Sequence, residues 1–482
     1  ERSAGKTCGC YVRYLEAVIR VEGHVKYTSG VALRWFLLLE LLCVIGFLAF
    51  LGIGNTRLAL VLLLGPLQVS AWLVASRSSS TVLAFFVAML PATAFGLLPT
   101  SYYRYLYLPV AILLLFVATR DMLADSRGAK RKSLDMFDII PLVLLGTALI
   151  LATYSAVAHG WTRADLWYQA VVLVEALVLL CFFASAPSTV AEVRTVIVSY
   201  CVALSVTVIA ARFLAVFGGG SGTFVGIATK GELNVVGAFL SVGAALLLGV
   251  LLDARNTSTR IVMLLCMIVL VSTLVITRSR GAWLGFGAAV MYALIRVRSG
   301  WLWTIVVLAI LLLLGIGQLR DILLSRASDT SEGDPSFLGR VALWFYAWMV
   351  FKANWLLGVG FDNFRYVKHF YGYPGEVSWI VRFHAHNVFL EMLVDLGVLG
   401  FVGFCWLYIR TVLRLDRIVR AKDPSRWAPA LGLGAALVAY AAHGMVDNVS
   451  WHYGMLTLLG GLLGLSIMIA RLGPTGTTGR IV

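Results

Sequence analysis

The stretch Leu233-Asn-Val-Val-Gly-Ala-Phe-Leu-Ser-Val-Gly-Ala-Ala-Leu-Leu-Leu-Gly-Val-Leu-Leu252 contains no charged residue. An α-helix needs about 20 apolar residues to cross the hydrocarbon core of a bilayer, and this run has that length. Comparable runs lie near 33–53, 57–76, 80–99, 103–119, 137–158, 166–186, 191–217, 260–277, 281–297, 301–317, 386–409, 428–447 and 452–471. Lipid offers no partner to an open backbone N–H or C=O, so these spans must be helical. The chain of 482 residues is 60% hydrophobic and 13% charged, against about 25% charged in soluble domains, and this leaves too little polar surface for a water-soluble fold. The expectation is an all-α polytopic integral membrane protein with about 12–14 transmembrane helices.

The formal net charge of +15 would point to nucleic acid in a soluble protein. Here it follows the positive-inside bias, and no nucleic-acid partner is expected. Basic clusters occur in the N-terminal tail (Arg2, Lys6, Arg13, Arg20, Lys26, Arg34), between the fourth and fifth spans (Arg120, Arg127, Lys130, Arg131, Lys132) and after residue 409 (Arg410, Arg414, Arg417, Arg420, Lys422, Arg426). Alternate counting from a cytoplasmic N-terminus puts all three on the cytoplasmic side. The division is then a basic cytoplasmic tail at 1–32, transmembrane helices at 33–317, a long outer loop at 318–385, the last spans at 386–471 and a cytoplasmic tail at 472–482. The first 30 residues are too polar for a signal-peptide core, so none is expected. Cys43, Cys181, Cys201, Cys266 and Cys405 lie in apolar runs as small hydrophobes, and Cys8 with Cys10 lacks a second ligand pair for zinc.

Against the topology trend, Arg163, Arg212, Lys230, Arg278, Arg280 and Arg340 fall on the outer side near membrane ends. Arg278 and Arg280 share a tight turn, where two guanidiniums repel each other unless an anion lies between them. Arginine's planar fork suits phosphate oxygens, while snorkelling to lipid headgroups is the plainer alternative. Arg340 lies in Leu338–Ala353, where Arg340, Trp344 and Ala347 share a helical face, as in a helix resting on the membrane surface. Phe383-His-Ala-His-Asn387 joins the long loop to the next span, with His386 at the helix start. Histidine suits proton transfer near neutral pH, although capping and metal binding by the H-x-H pair remain open, the latter without an evident third ligand. Beyond it, Gly397, Gly400 and Gly403 permit close helix packing, and Glu391 and Asp395 are acids on one face whose partners the sequence does not name.

His386-Asn387, nine residues and Gly397 resemble the H-[NSQ]-x9-G element of the O-antigen ligase and polymerase superfamily. Arg280-Gly-Ala-Trp-Leu284 is similar to its R-x3-L element, and Gly339-Arg340 with Trp344 and Gly358-Val-Gly-Phe-Asp-Asn363-Phe364 resembles the loop before the histidine. The resemblance covers about 230–409. It implies a GT-C-like membrane glycosyltransferase of the Gram-negative bacterial inner membrane. Such an enzyme moves a glycan from undecaprenyl diphosphate to lipid A-core in the periplasmic leaflet, without metal or other cofactor. His386 would then be the base and Arg280 the principal diphosphate ligand, with Arg278, Arg340, Arg212, Lys230 and Arg163 as further cations. His384, Asn387, Trp344 and Asn363 would support the site. The first two outer turns, near 53–56 and 99–102, hold no acid, unlike oligosaccharyltransferases that place metal ligands there. An O-antigen polymerase, a protein O-oligosaccharyltransferase and, from another class, a transporter or lipid flippase are the alternatives.

Overall fold

A computed structural model describes residues 134–162, 164–185, 189–217, 233–254, 256–298, 335–373, 383–450 and 452–472, together with Val87 and Leu90. The chain divides into the units Glu1–Ser70 and Ala71–Val482, and the described residues all belong to the second. The basic N-terminal tail, the spans expected at 33–76, 103–119 and 301–317, and most of that at 80–99 lie outside the described residues. So do Arg163 and Lys230.

Every regular element among the described residues is helical. In chain order these are α1 (Met136–Ala158), α2 (Ala164–Phe183), α3 (Val190–Phe217), α4 (Leu233–Asp253), α5 (Thr257–Ile276) and α6 (Arg280–Val297). Then come α7 (Pro335–Ala353), the short α8 (Phe364–Val367) running into a 3-10 turn (Lys368–Tyr371), α9 (Val388–Arg420), α10 (Trp427–Gly444) and α11 (Tyr453–Arg471). Seven of these, α1 to α5, α9 and α11, are long and apolar enough to cross a membrane, and the chain is a polytopic membrane protein.

Apolar surface gains little by leaving lipid for other apolar surface, so membrane helices associate through close packing at small residues. The central pair, α4 and α10, follows this rule. A Cβ on Gly249 of α4 would lie 2.2 Å from the Ala428 carbonyl oxygen, and one on Gly432 of α10 would lie 2.7 Å from that of Leu246. Gly460 and Gly464 of α11 meet the Ala176 and Leu180 carbonyls of α2 in the same way, each at 2.4 Å from the added Cβ. Outward faces stay apolar, as Ile150 and Tyr154 on α1 and Ile261, Leu265 and Ile268 on α5 illustrate. On α7, Leu338, Val341, Phe345 and Trp348 form an exposed apolar stripe opposite the buried Leu343, Ala347 and Val350. That pattern fits the surface-lying helix expected there.

One end of the bundle is laced with ion pairs. Arg410 and Arg414 reach Asp135 and Asp138 at the start of α1, Arg194 pairs with Asp253, and Arg296 with Asp416. Arg410, Arg414 and Asp416 belong to α9, which continues past the expected span end at 409. At 33 residues, and about 1.5 Å each, it exceeds a bilayer core of about 30 Å.

Near its other end α9 breaks. Gly397 has φ 65° and ψ −173°, a conformation only glycine adopts without strain. Gly400 and Gly403 pack against α1, as expected of small residues, but Gly397 serves the chain differently. The break frees backbone groups that the loop before α8 then takes up. Val359 and Gly360 donate to the carbonyls of Val394 (3.2 Å) and Asp395 (3.0 Å), and Val398 donates to that of Trp355 (2.9 Å). Gly397→Ala would set a Cβ 2.4 Å from the Leu356 carbonyl oxygen, on top of backbone strain of about 1–3 kcal/mol. Thermal unfolding in detergent should show a clear drop in Tm. Gly146→Ala, whose Cβ meets nothing within 4 Å, should leave Tm near wild type, and equal behaviour of the two would refute this role for Gly397.

Candidate active site

The stretch His384-Ala-His-Asn387 is shaped by the start of α9. Asn387 is its N-cap: Oδ1 accepts the N–H groups of Phe389 and Leu390, both at 3.0 Å, and Nδ2 donates to the Met445 carbonyl at 3.1 Å. His386 therefore lies just outside the helix, with φ 47°, and not at the helix start as expected from sequence. Its Nδ1 is 2.7 Å from Oδ1 of Asp447, which follows α10 and is buried. A carboxylate at Nδ1 assigns the proton to that nitrogen and leaves the Nε2 lone pair to act as a base. Burial by itself would raise the Asp447 carboxyl. The hydrogen bond from His386 and the nearby His386, His443 and Arg340 outweigh it and hold Asp447 below the usual carboxylate range.

His384 turns to different acids. Its Nδ1 lies 3.1 Å from Oε1 of Glu391 and 3.3 Å from Oδ1 of Asp362, while Oε2 of Glu391 accepts the Ala385 N–H at 2.6 Å. The two histidines are thus committed to separate acids and do not form a chelating pair. Asp362, His384 and Glu391 do bring ligand atoms within 4.8 Å of one another, and so supply the third ligand that the sequence did not reveal. Next to these groups, Arg365 is 2.7 Å from Oδ2 of Asp362, and the fully buried Lys368 donates to the carbonyls of Arg365 (2.9 Å) and Phe383. Lys368 anchors the residue before His384 and was not singled out from sequence.

Burial drives the Lys368 ammonium down to about 7; Glu391 and Asp362 oppose this and Arg365 reinforces it. Between about pH 7 and the unfolded lysine value near 10.4, the unfolded chain holds the proton and the folded chain does not. Stability through this group therefore rises with pH across that window, and the full burial penalty applies below pH 7. In a Tm series from pH 6 to 9, Lys368→Met should flatten this rise. Parallel pH profiles for variant and wild type would contradict the assignment.

The arginines approach from the α5–α6 turn, Thr277–Ser279, as short as the sequence implied. Ser279 caps α6, accepting from the Ala282 N–H at 3.4 Å and donating to Oδ1 of Asn234 on α4 at 2.8 Å. Trp283 closes the turn by donating Nε1–H to the Leu274 carbonyl at 2.9 Å. Arg278 is exposed with φ 54°, and Arg280 opens α6 half-buried. Next to it, Gly281 leaves room for His443 near the end of α10, since an added Cβ would lie 2.7 Å from the ring. Asp447 donates its backbone N–H to the His443 carbonyl at 3.0 Å, so α6 begins one helical turn from the acid that orients His386. Arg340 is half-buried on α7, close enough for its charge to act on Asp447. Trp344, one turn further, has a buried indole N–H with no acceptor.

The remaining expected residues have other attachments. Arg212 donates to Thr273 Oγ1 on α5 at 2.7 Å, one turn before Thr277. Asn363 donates to the carbonyls of Val359 (2.7 Å) and Trp161 (3.2 Å), bracing the loop against the end of α1. Asp447 was missed because it ends an apolar run. An acid at the outer end of a span, on the same side as His386, was the available signal. Asp447→Asn keeps the shape but no longer fixes the tautomer, so a loss of about 10²–10⁴ in rate is expected with ligand binding retained. Wild-type turnover by this variant would remove Asp447 from the site.

Residues 262–405 match the family model described as O-antigen ligase. The match begins within α5 and ends within α9, so it contains Arg280, Arg340 and His386 but stops short of α10 and Asp447. This part of the chain is thus similar to the O-antigen ligases, and the match covers less than a third of the 482 residues. No curated protein matches the chain.

Proposed function

We propose that the protein is an O-antigen ligase, transferring a glycan from undecaprenyl diphosphate to lipid A-core. It works in the bacterial inner membrane with its site facing the periplasm and both termini in the cytoplasm. The observation that carries this reading is the His386–Asp447 pair at the same end of the bundle as Arg280 and Arg340. His386 Nε2 takes the proton of the acceptor hydroxyl as its oxygen attacks the anomeric carbon. The bond from that carbon to the diphosphate oxygen breaks, and undecaprenyl diphosphate leaves with the electron pair. Arg280, opening α6 where the helix dipole is positive, stabilises the charge developing on the phosphate, with Arg278 and Arg340 as neighbours. One direct displacement inverts the anomeric centre and needs no metal. Arg212, Lys230 and Arg163 extend the cationic surface in this reading.

A polymerase would use the same donor and the same base, and the family match covers both activities. Lipopolysaccharide from a deletion strain separates them. Loss of a ligase leaves core-only lipid A with lipid-linked polymer accumulating, whereas loss of a polymerase leaves a single repeat attached. In purified protein, His386→Ala should fold and bind donor but lose about 10²–10⁴ in transfer rate. Arg280→Lys keeps the charge and loses the fork, so it should also fall steeply. Near-normal transfer by either variant rejects the role given to that residue.

A further inference from the structure

His443 has no part in the transfer as written above, yet its surroundings are those of a ligand-binding group. Its ring is 1% exposed, and neither Nδ1 nor Nε2 has a hydrogen-bond partner. Proteins retain few buried polar groups in that condition, because burial without a partner costs stability that phenylalanine or leucine in the same space would not. The space is shaped for this ring. Gly281 and Gly285, one turn apart on α6, both face it: a Cβ on Gly281 would lie 2.9 Å from Nε2, and one on Gly285 would lie 3.3 Å from the His443 Cβ. Nε2 is thus directed at the first turn of an 18-residue helix, beside Arg280. Arg340 contributes positive charge from α7, and Asp447, the acid nearest in sequence, is engaged by His386. An N–H donor next to a helix N-terminus and two arginines is suited to an anionic oxygen.

We infer that His443 is a donor-binding residue, giving an Nε2–H hydrogen bond to a phosphate oxygen of the lipid-linked diphosphate held at the start of α6. This rests on the diphosphate reading above. No proton is transferred: the imidazole stays neutral, and its hydrogen bond strengthens as charge builds on the departing phosphate.

The test uses full-length protein in nanodiscs, with undecaprenyl diphosphate as the probe because it carries no glycan whose identity must be known. Thermal unfolding with and without the probe is compared for wild type, His443→Phe and His443→Gln, alongside glycan transfer. The Phe variant should unfold at or above the wild-type temperature, lose most of the probe-induced shift and transfer at least about tenfold more slowly. The Gln variant, whose amide reaches the position of Nε2, should retain part of both. A Phe variant with wild-type shift and wild-type transfer overturns the inference while leaving the diphosphate reading intact. If the Phe variant does not fold, His443→Leu replaces it, and equal transfer by Leu and Gln overturns the inference equally. A wild-type protein with no probe-induced shift removes the diphosphate reading and this inference together.

Discussion

The break in α9 at Gly397 is the constraint on which the site's geometry depends. A helix interrupted inside a packed membrane bundle leaves carbonyls that neither lipid nor apolar side chains can satisfy. The loop from Trp355 to Phe364 resolves this with its own backbone, and Asp395 completes the seam by accepting the N–H groups of Asp362 (2.7 Å) and Phe364 (3.0 Å). Once the loop is fixed there, Asp362 lies against the His384 ring, while Lys368 holds Phe383 before it and Glu391 pins Ala385 after it. His386 comes next, already turned toward α10. Its placement is thus set by backbone hydrogen bonds and buried charge.

The two ends of the bundle use charge in opposite ways. Around the lower half of α9, arginines are matched with aspartates, which suits a helix end held in register at an aqueous boundary. At the His386 end the acid that matters is matched with a histidine. Asp447 at Nδ1 fixes the orientation of the His386 ring.

Much of this fold is legible in the sequence because bilayer thickness imposes a length on apolar runs. Spans read at 233–252, 260–277 and 281–297 agree with α4, α5 and α6 to within a few residues, and the turn carrying Arg278 follows directly from them. The amphipathic α7 is equally readable from Arg340, Trp344 and Ala347. The failures share a cause. Gly397 looks like its packing neighbours Gly400 and Gly403, since a backbone dihedral leaves no trace in residue type. His386 was read as the start of α9, whereas the capping preference of Asn387 puts it outside. The partners of Glu391 and Asp395 include backbone N–H groups contributed by neighbouring and distant segments, which no side-chain pattern announces. Asp447 and His443 end an apolar helix far along the chain, and only the folded structure brings them to the α5–α6 turn.

That last juxtaposition bears on how the protein can be dissected or recombined. The region with family character, 262–405, carries the arginines and the histidine but not the aspartate that orients it. It is therefore not a self-sufficient module. A graft of this region onto another scaffold would import a histidine whose counterpart stays behind on α10, and a truncation after α9 would have the same effect. Exchange between relatives has to move α6, α9 and α10 as one cassette, with Gly281 and Gly285 kept opposite whatever occupies position 443.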